Sequence, residues 1–308
     1  MWIYYLMLIG AVLLFSVQFV FSKCYQREKG STFFYSMVFS VITGAVSIPY
    51  FLLLNGGRLE LTPFSLALSV VYSIDSLACT VFGVKTLSRA NLSVYSLFMM
   101  LGGMLLPFLY GFTLGEKMTV LKGVAMLLVL FSMVFTLKKE DGKKTDLFTV
   151  VCYAAIFVTN GLTGVMTFMH QRATLAAVSA SGFLLLANIV KTVLALVVGI
   201  GILIYAKIKG ENAVAVQGAV GGKRASSTIR SWIIAVGCSL GFAFVNGTGS
   251  LLSTLTASYI EAGIQSTIGT GGCLLMSALF GVLFGEKITK KTVLTLALAL
   301  AGTVLIML

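Results

Sequence analysis

Long apolar runs dominate this chain. Ten stretches of about 20 residues carry few charges: 2–22, 32–54, 63–84, 91–113, 118–137, 147–169, 181–206, 231–253, 262–284 and 288–308. A hydrocarbon core of about 30 Å takes roughly 20 apolar helical residues to cross, so each run predicts one transmembrane span. Turn chemistry separates several of them. Asn55, Gly56 and Gly57 follow the second run, and Asp141, Gly142, Lys143 and Lys144 follow the fifth. Thr62 before Pro63 is a start signal for the third. The pattern predicts an all-α polytopic membrane protein with ten transmembrane helices.

The runs also repeat. Gly111, Gly115, Glu116, Lys117 and Thr119 close the fourth span as Gly281, Gly285, Glu286, Lys287 and Thr289 close the ninth, an offset of 170 residues. Ser96 with Ser266, Gly102 with Gly272, Leu105 with Leu275, Leu128 with Leu298, Leu130 with Leu300 and Val134 with Val304 keep that offset. The chain therefore reads as a duplicated five-helix unit: residues 1–137, a connecting loop at 138–146, and residues 147–308. With an odd number of spans per unit, the second copy must enter the membrane upside down. Inverted repeats with a site at their interface are a recurring plan of secondary transporters.

The doubled Gly-Glu junction at the fourth helix of each half, with Leu87, Ser88, Arg89 and Ala90 leading into the first copy, resembles the EamA family of the drug/metabolite transporter superfamily. The resemblance extends over the ten spans. It implies solute transport, often export of amino acids, other metabolites or drugs, without fixing the substrate.

Composition narrows the class further. The chain is 58% apolar and 10% charged, with a mean hydropathy of +1.01. Soluble domains carry about 25% charged residues, and disordered chains are far less apolar. The net charge of +12 sits in clusters between spans, which excludes a nucleic-acid-binding domain, where basic residues line one folded surface. Seventeen of the 22 Lys and Arg residues fall in the odd-numbered connections and four in the even ones, with Lys191 inside a span. The positive-inside rule then places the odd connections in the cytoplasm and both termini outside a multi-pass plasma-membrane protein; the family resemblance implies both termini inside. No signal-peptide cleavage pattern follows residues 2–22. Five cysteines, an odd number without CxxC spacing, form no disulfide framework.

An ionisable residue at mid-membrane costs roughly 2.5–3.5 kcal/mol on insertion scales and is a functional candidate by default. Asp75 in the third span and Lys191 in the seventh qualify. Asp75 reads as a proton carrier or the partner of a substrate amine, and Lys191 as the partner of a substrate carboxylate or of Asp75. The plainer reading is a structural ion pair that sets helix register. Gln18, Asn160, Asn188 and Asn246 bring amides into the spans, where they can bind a polar solute or a neighbouring helix. Tyr72 and Tyr95 can line a cavity or simply pack. The glycines of the fourth and ninth spans permit close helix packing, and His170 and Glu261 flank spans where solvent reaches. No Walker A spacing, His cluster, carboxylate pair or nucleophile–base set is present, so neither ATP-driven transport nor an enzyme, a cofactor or a metal site is expected. No carboxylate lies in the first span, unlike the small multidrug-resistance relatives. The expected partners are a small polar or zwitterionic solute, the bilayer, and protons through Asp75. The rival functions are a lipid or lipid-linked-sugar flippase, for which Lys85 and Arg89 would rim the opening, and a non-transporting accessory subunit.

Overall fold

The computed structural model describes residues 2–89, 92–115, 119–121, 123–125, 127–128, 131, 146–209, 229–283 and 290–307. Among these, the helices are α1 (Trp2–Lys29), α2 (Phe33–Leu54), α3 (Pro63–Arg89), α4 (Leu92–Thr113), α5 (Leu147–Gln171), α6 (Ala180–Lys209), α7 (Ile229–Thr256), α8 (Ala262–Leu283) and α9 (Lys290–Met307). No strand occurs among the described residues. The predicted fifth span, 118–137, the loop at 138–145, Glu116, Lys117, Gly285, Glu286 and Lys287 lie wholly or mostly outside them.

Among the described residues, seven helices are long and apolar enough to cross a membrane: α1, α2, α3, α4 from Val94, α5, α6 and α7. The chain is thus a multi-pass membrane protein. Its surface fits that reading. On α3, Leu66, Val70, Val71 and Ile74 are exposed, whereas Ser65, Ser69 and Ser73 are fully buried. Small residues inside and large apolar ones outside suit a lipid solvent, where helices associate through close backbone approach and polar contacts. Ser73 Oγ lies 2.6 Å from Ser69 O and 2.7 Å from Ala187 O, tying α3 to α6.

The helix ends follow local chemistry. Thr32 caps α2, its hydroxyl oxygen accepting from the Tyr35 amide at 3.3 Å, and Thr62 does the same for Ser65 ahead of α3. Gly56 and Gly57 adopt φ of 66° and 73°, left-handed values that let α2 turn sharply into α3. Gly115, at φ 86°, lies in the turn after α4 instead of on a helix face with Gly111. Helices α1 and α3 run past their apolar stretches to Lys29 and Arg89, because Lys and Arg are good helix formers and their charge suits a helix C-terminus.

The central helix is α4. Leu97, Leu101, Met104, Leu105 and Phe108 join Val12, Phe19 and Ile156 in the largest core cluster. The packing partners are α1 with α7 and α8, α4 with α5 and α8, α2 with α6 and α7, α3 with α5 and α6, and α8 with α9. Contacts sort the connections onto two ends of the bundle. At one end, Lys29 Nζ sits 3.6 Å from the Trp232 ring centre, and Arg89 pairs with Asp146 at 2.7 Å. The Thr149 hydroxyl and then Arg89 hold the Asp146 carboxyl below its ordinary range. At the other end, Tyr4 stacks on Tyr259 at 4.0 Å, and Asn55 Oδ1 accepts from Ser179 and Ser181.

Glycine sets the closest approach. A Cβ on Gly102 would overlap the Phe157 carbonyl, with its carbon 2.6 Å away, whereas one on Gly272 would meet only the Val12 side chain, at 2.5 Å. Backbone cannot step aside as a Val rotamer can. Gly102→Ala is therefore expected to destabilise by about 1–3 kcal/mol or more, and Gly272→Ala by less. Thermal unfolding in detergent would test this ranking; equal midpoints for the two variants would refute it.

Candidate functional site

A cavity of about 240 Å³ opens among α1 to α8. Six of the eight residues singled out from sequence line it: Gln18, Tyr72, Tyr95, Asn160, Lys191 and Asn246. Asn188 lines a smaller chamber beside it, together with Tyr72, Lys191 and Asn246, and donates to Leu184 O at 2.8 Å. Asp75 reaches the cavity through a partner, since Thr163 both lines the wall and donates to its Oδ2 at 2.8 Å.

The two mid-membrane charges do not meet. Lys191 Nζ donates to Ser76 Oγ at 2.9 Å and Thr80 Oγ1 at 3.2 Å, and the ion pair found among the described residues is Arg89–Asp146. The expectation of a structural Asp75–Lys191 pair is thereby corrected. Consecutive helical residues diverge by about 100°, so α3 presents Ser76 to α6 while Asp75 turns to α5.

Thr163 is the hinge of this arrangement. Its hydroxyl lies 2.8 Å from Asp75 Oδ2 and 3.0 Å from Thr159 O. One hydroxyl proton serves one of these acceptors at a time.

The amides divide into two kinds. Asn160 Nδ2 donates to Met99 O at 2.7 Å, binding α5 to α4 where Gly103 leaves room. Gln18 is 5% exposed, and its Oε1 has no hydrogen-bond partner among the described residues. Gln265, which sequence reasoning missed, lines the same cavity: its Nε2 donates to Ser253 O at 2.7 Å and its Oε1 has no partner among the described residues. Leaving such buried acceptors unmet costs about 1–3 kcal/mol each, so the cavity calls for N–H or O–H donors from its contents.

Ser76, Thr80, Thr163 and Thr270 were also missed. The signal was present as hydroxyl residues at three- and four-residue spacings: Ser69, Ser73, Ser76 and Thr80 on α3, and Asn160, Thr163 and Thr167 on α5. Thr270 Oγ1 donates to Met100 O at 3.0 Å, joining α8 to α4.

His170 is corrected too. It is 2% exposed rather than solvated, stacked between Phe64 and Phe183, with Nε2 2.9 Å from Ser65 Oγ. Glu261 is exposed. Among the described residues, no group of three or more His, Cys, Asp or Glu could hold a metal ion.

The chain is similar to a protein of known crystal structure, with a TM-score of 0.63 and 16% identity over 97% of this chain and 94% of that one. At that identity the likeness shows the fold alone. No family model and no curated protein matches the chain.

Proposed function

We propose that this chain is a ten-helix secondary transporter of the EamA type, built as two inverted five-helix repeats. It moves a small polar or zwitterionic, amino-acid-like metabolite by alternating access, with proton coupling through Asp75. The observation that carries the reading is the 240 Å³ cavity lined by Lys191 and Thr163, where the ammonium and the Asp75 carboxylate behind Thr163 each take hydroxyl partners instead of one another. Lys191 complements the carboxylate of a zwitterion, while Asp75, set behind Thr163, takes the proton.

The packing pattern supports the repeat. Exchange α1 with α5, α2 with α6, α3 with α7 and α4 with α8. The pair α1–α7 then becomes α3–α5, α4–α5 becomes α1–α8, and α2–α7 becomes α3–α6, while α2–α6 and α4–α8 map onto themselves. Met100 and Thr270, 170 residues apart, touch each other as residues on a two-fold axis would.

A fifth crossing in the first half is supported by helix direction. Gly102 lies against Phe157, Gly103 against Asn160, and Pro107 against Gly164. Both numbers rise together, so α4 and α5 run parallel, the arrangement that the proposed fifth span between them would give. The concentration of Lys and Arg at the end that holds Lys29 and Arg89 assigns that end to the cytoplasm, leaving the N-terminus outside.

The test is counterflow in proteoliposomes preloaded with unlabelled amino acids or other small metabolites in pools. Labelled solute should accumulate transiently for at least one zwitterionic pool. No accumulation with any pool, from protein that is folded by thermal unfolding, would overturn the reading.

A further inference from the structure

Beside the main cavity lies a chamber of about 40 Å³ between α2, α3, α6 and α7, and its wall holds Lys191 and no Asp or Glu. An ammonium has three donors. Two point to Ser76 and Thr80, and the described residues give the third no acceptor. Ser47, Asn246 and Ser250 also line the chamber. None of these three has a side-chain hydrogen bond among the described residues, although Ser47 is 4% exposed.

A cation met only by neutral hydroxyls, next to two further hydroxyls and an amide, is a poor resting place for empty space. Buried charges persist when something of opposite sign completes them. The chamber's volume of about 40 Å³ suits a small group rather than a whole solute.

We propose that this chamber is an anion subsite. It takes a monoanionic group the size of a carboxylate or a halide ion, with Lys191 supplying the charge and Ser47, Asn246 and Ser250 the flanking donors. The group comes either from a transported solute or from a free ion. The subsite opens from the cavity read above as the transport site, but it is tested by binding alone, so a failure of transport and a failure of this proposal are separate results.

The experiment is thermal unfolding of the purified full chain in detergent, at constant ionic strength, titrating sodium acetate or sodium chloride against sodium camphorsulfonate, whose anion has no carboxylate and carries a rigid cage beside its charged group. Acetate, chloride or both should raise the wild-type midpoint saturably. Lys191→Arg should keep the response. Lys191→Met should weaken apparent affinity about tenfold or more, as expected for loss of a charge-assisted contact. Ser47→Val keeps the charge but fills the chamber, and it should also remove the response; it carries the test if Lys191→Met does not fold. A response to acetate alone assigns the group to a solute carboxylate, and a response to chloride assigns it to a free halide. Identical midpoints in all three salts, or an undiminished response in Ser47→Val, would overturn the subsite.

Discussion

Asp75→Asn is expected to uncouple solute movement from protons while sparing exchange. The expectation rests on the one proton of Thr163. When Asp75 is ionised, the Thr163 hydroxyl donates to Oδ2 at 2.8 Å and leaves Thr159 O, 3.0 Å away, with its helical N–H donor alone. When Asp75 is protonated, the carboxyl becomes the donor, and the Thr163 hydroxyl turns to Thr159 O. A proton arriving at Asp75 thus reorients a hydroxyl on the cavity wall. Asparagine can only imitate the protonated state, because its amide donates to Thr163 at every pH. Hydrogen bonds to charged groups are worth about 1.5–3 kcal/mol, so the variant loses a switch of roughly tenfold or more. In proteoliposomes with a pH-sensitive dye inside, uphill solute accumulation driven by a proton gradient should fall by at least that factor. Counterflow, which needs no net proton movement, should stay within about twofold of wild type. Uphill accumulation equal to wild type would reduce Asp75 to a structural residue.

Seven spans of the described residues were legible because lipid imposes one rule on every helix: about 20 apolar residues between polar ends. Helix ends were less so. The apolar run of α1 stops near Ser22, yet the helix continues to Lys29, since hydropathy records the membrane boundary and not where backbone hydrogen bonding ceases. Within the site, Lys191 and Asp75 were visible because charge is rare in lipid, and their separation was not, because which face each presents depends on helix rotation. Hydroxyl residues escaped for another reason. Ser and Thr satisfy themselves on the preceding turn, as Thr80 does on Ser76 O at 2.9 Å, so they occur throughout membrane helices. Thr163 differs from Thr159 only by what α3 brings against it. Similarly, His170 stands beside a connection in sequence, and only the approach of Phe64 and Phe183 encloses it.

Two basic residues at opposite ends of the bundle are expected to act as opposed latches. Lys23 Nζ donates to Leu87 O at 2.9 Å, holding the end of α3. Arg172 Nε donates to Ala257 O at 3.1 Å, and its Nη2 to Ile260 O at 2.8 Å, holding the end of α7. Leu87 and Ala257 stand 170 residues apart, the repeat offset. The last carbonyls of a helix lack intrahelical donors and carry the negative end of its dipole, so a cation is a natural fastening there. Alternating access requires that one end be fastened while the other is released. Each such bond is worth about 1.5–3 kcal/mol, enough to move a two-state population by tenfold or more. The reporter is Cys79, whose side chain lines the cavity, in a background with Cys24, Cys152, Cys238 and Cys273 replaced by Ala. Lys23→Met should raise labelling of Cys79 by a membrane-impermeant thiol reagent from the Lys23 end and lower it from the other. Arg172→Met should do the reverse, and the double variant should return towards the parent. The direction follows from the chemistry: removing a fastening lowers the cost of opening only the end it held. Labelling that moves the same way in both single variants would mean that the two contacts merely stiffen the bundle.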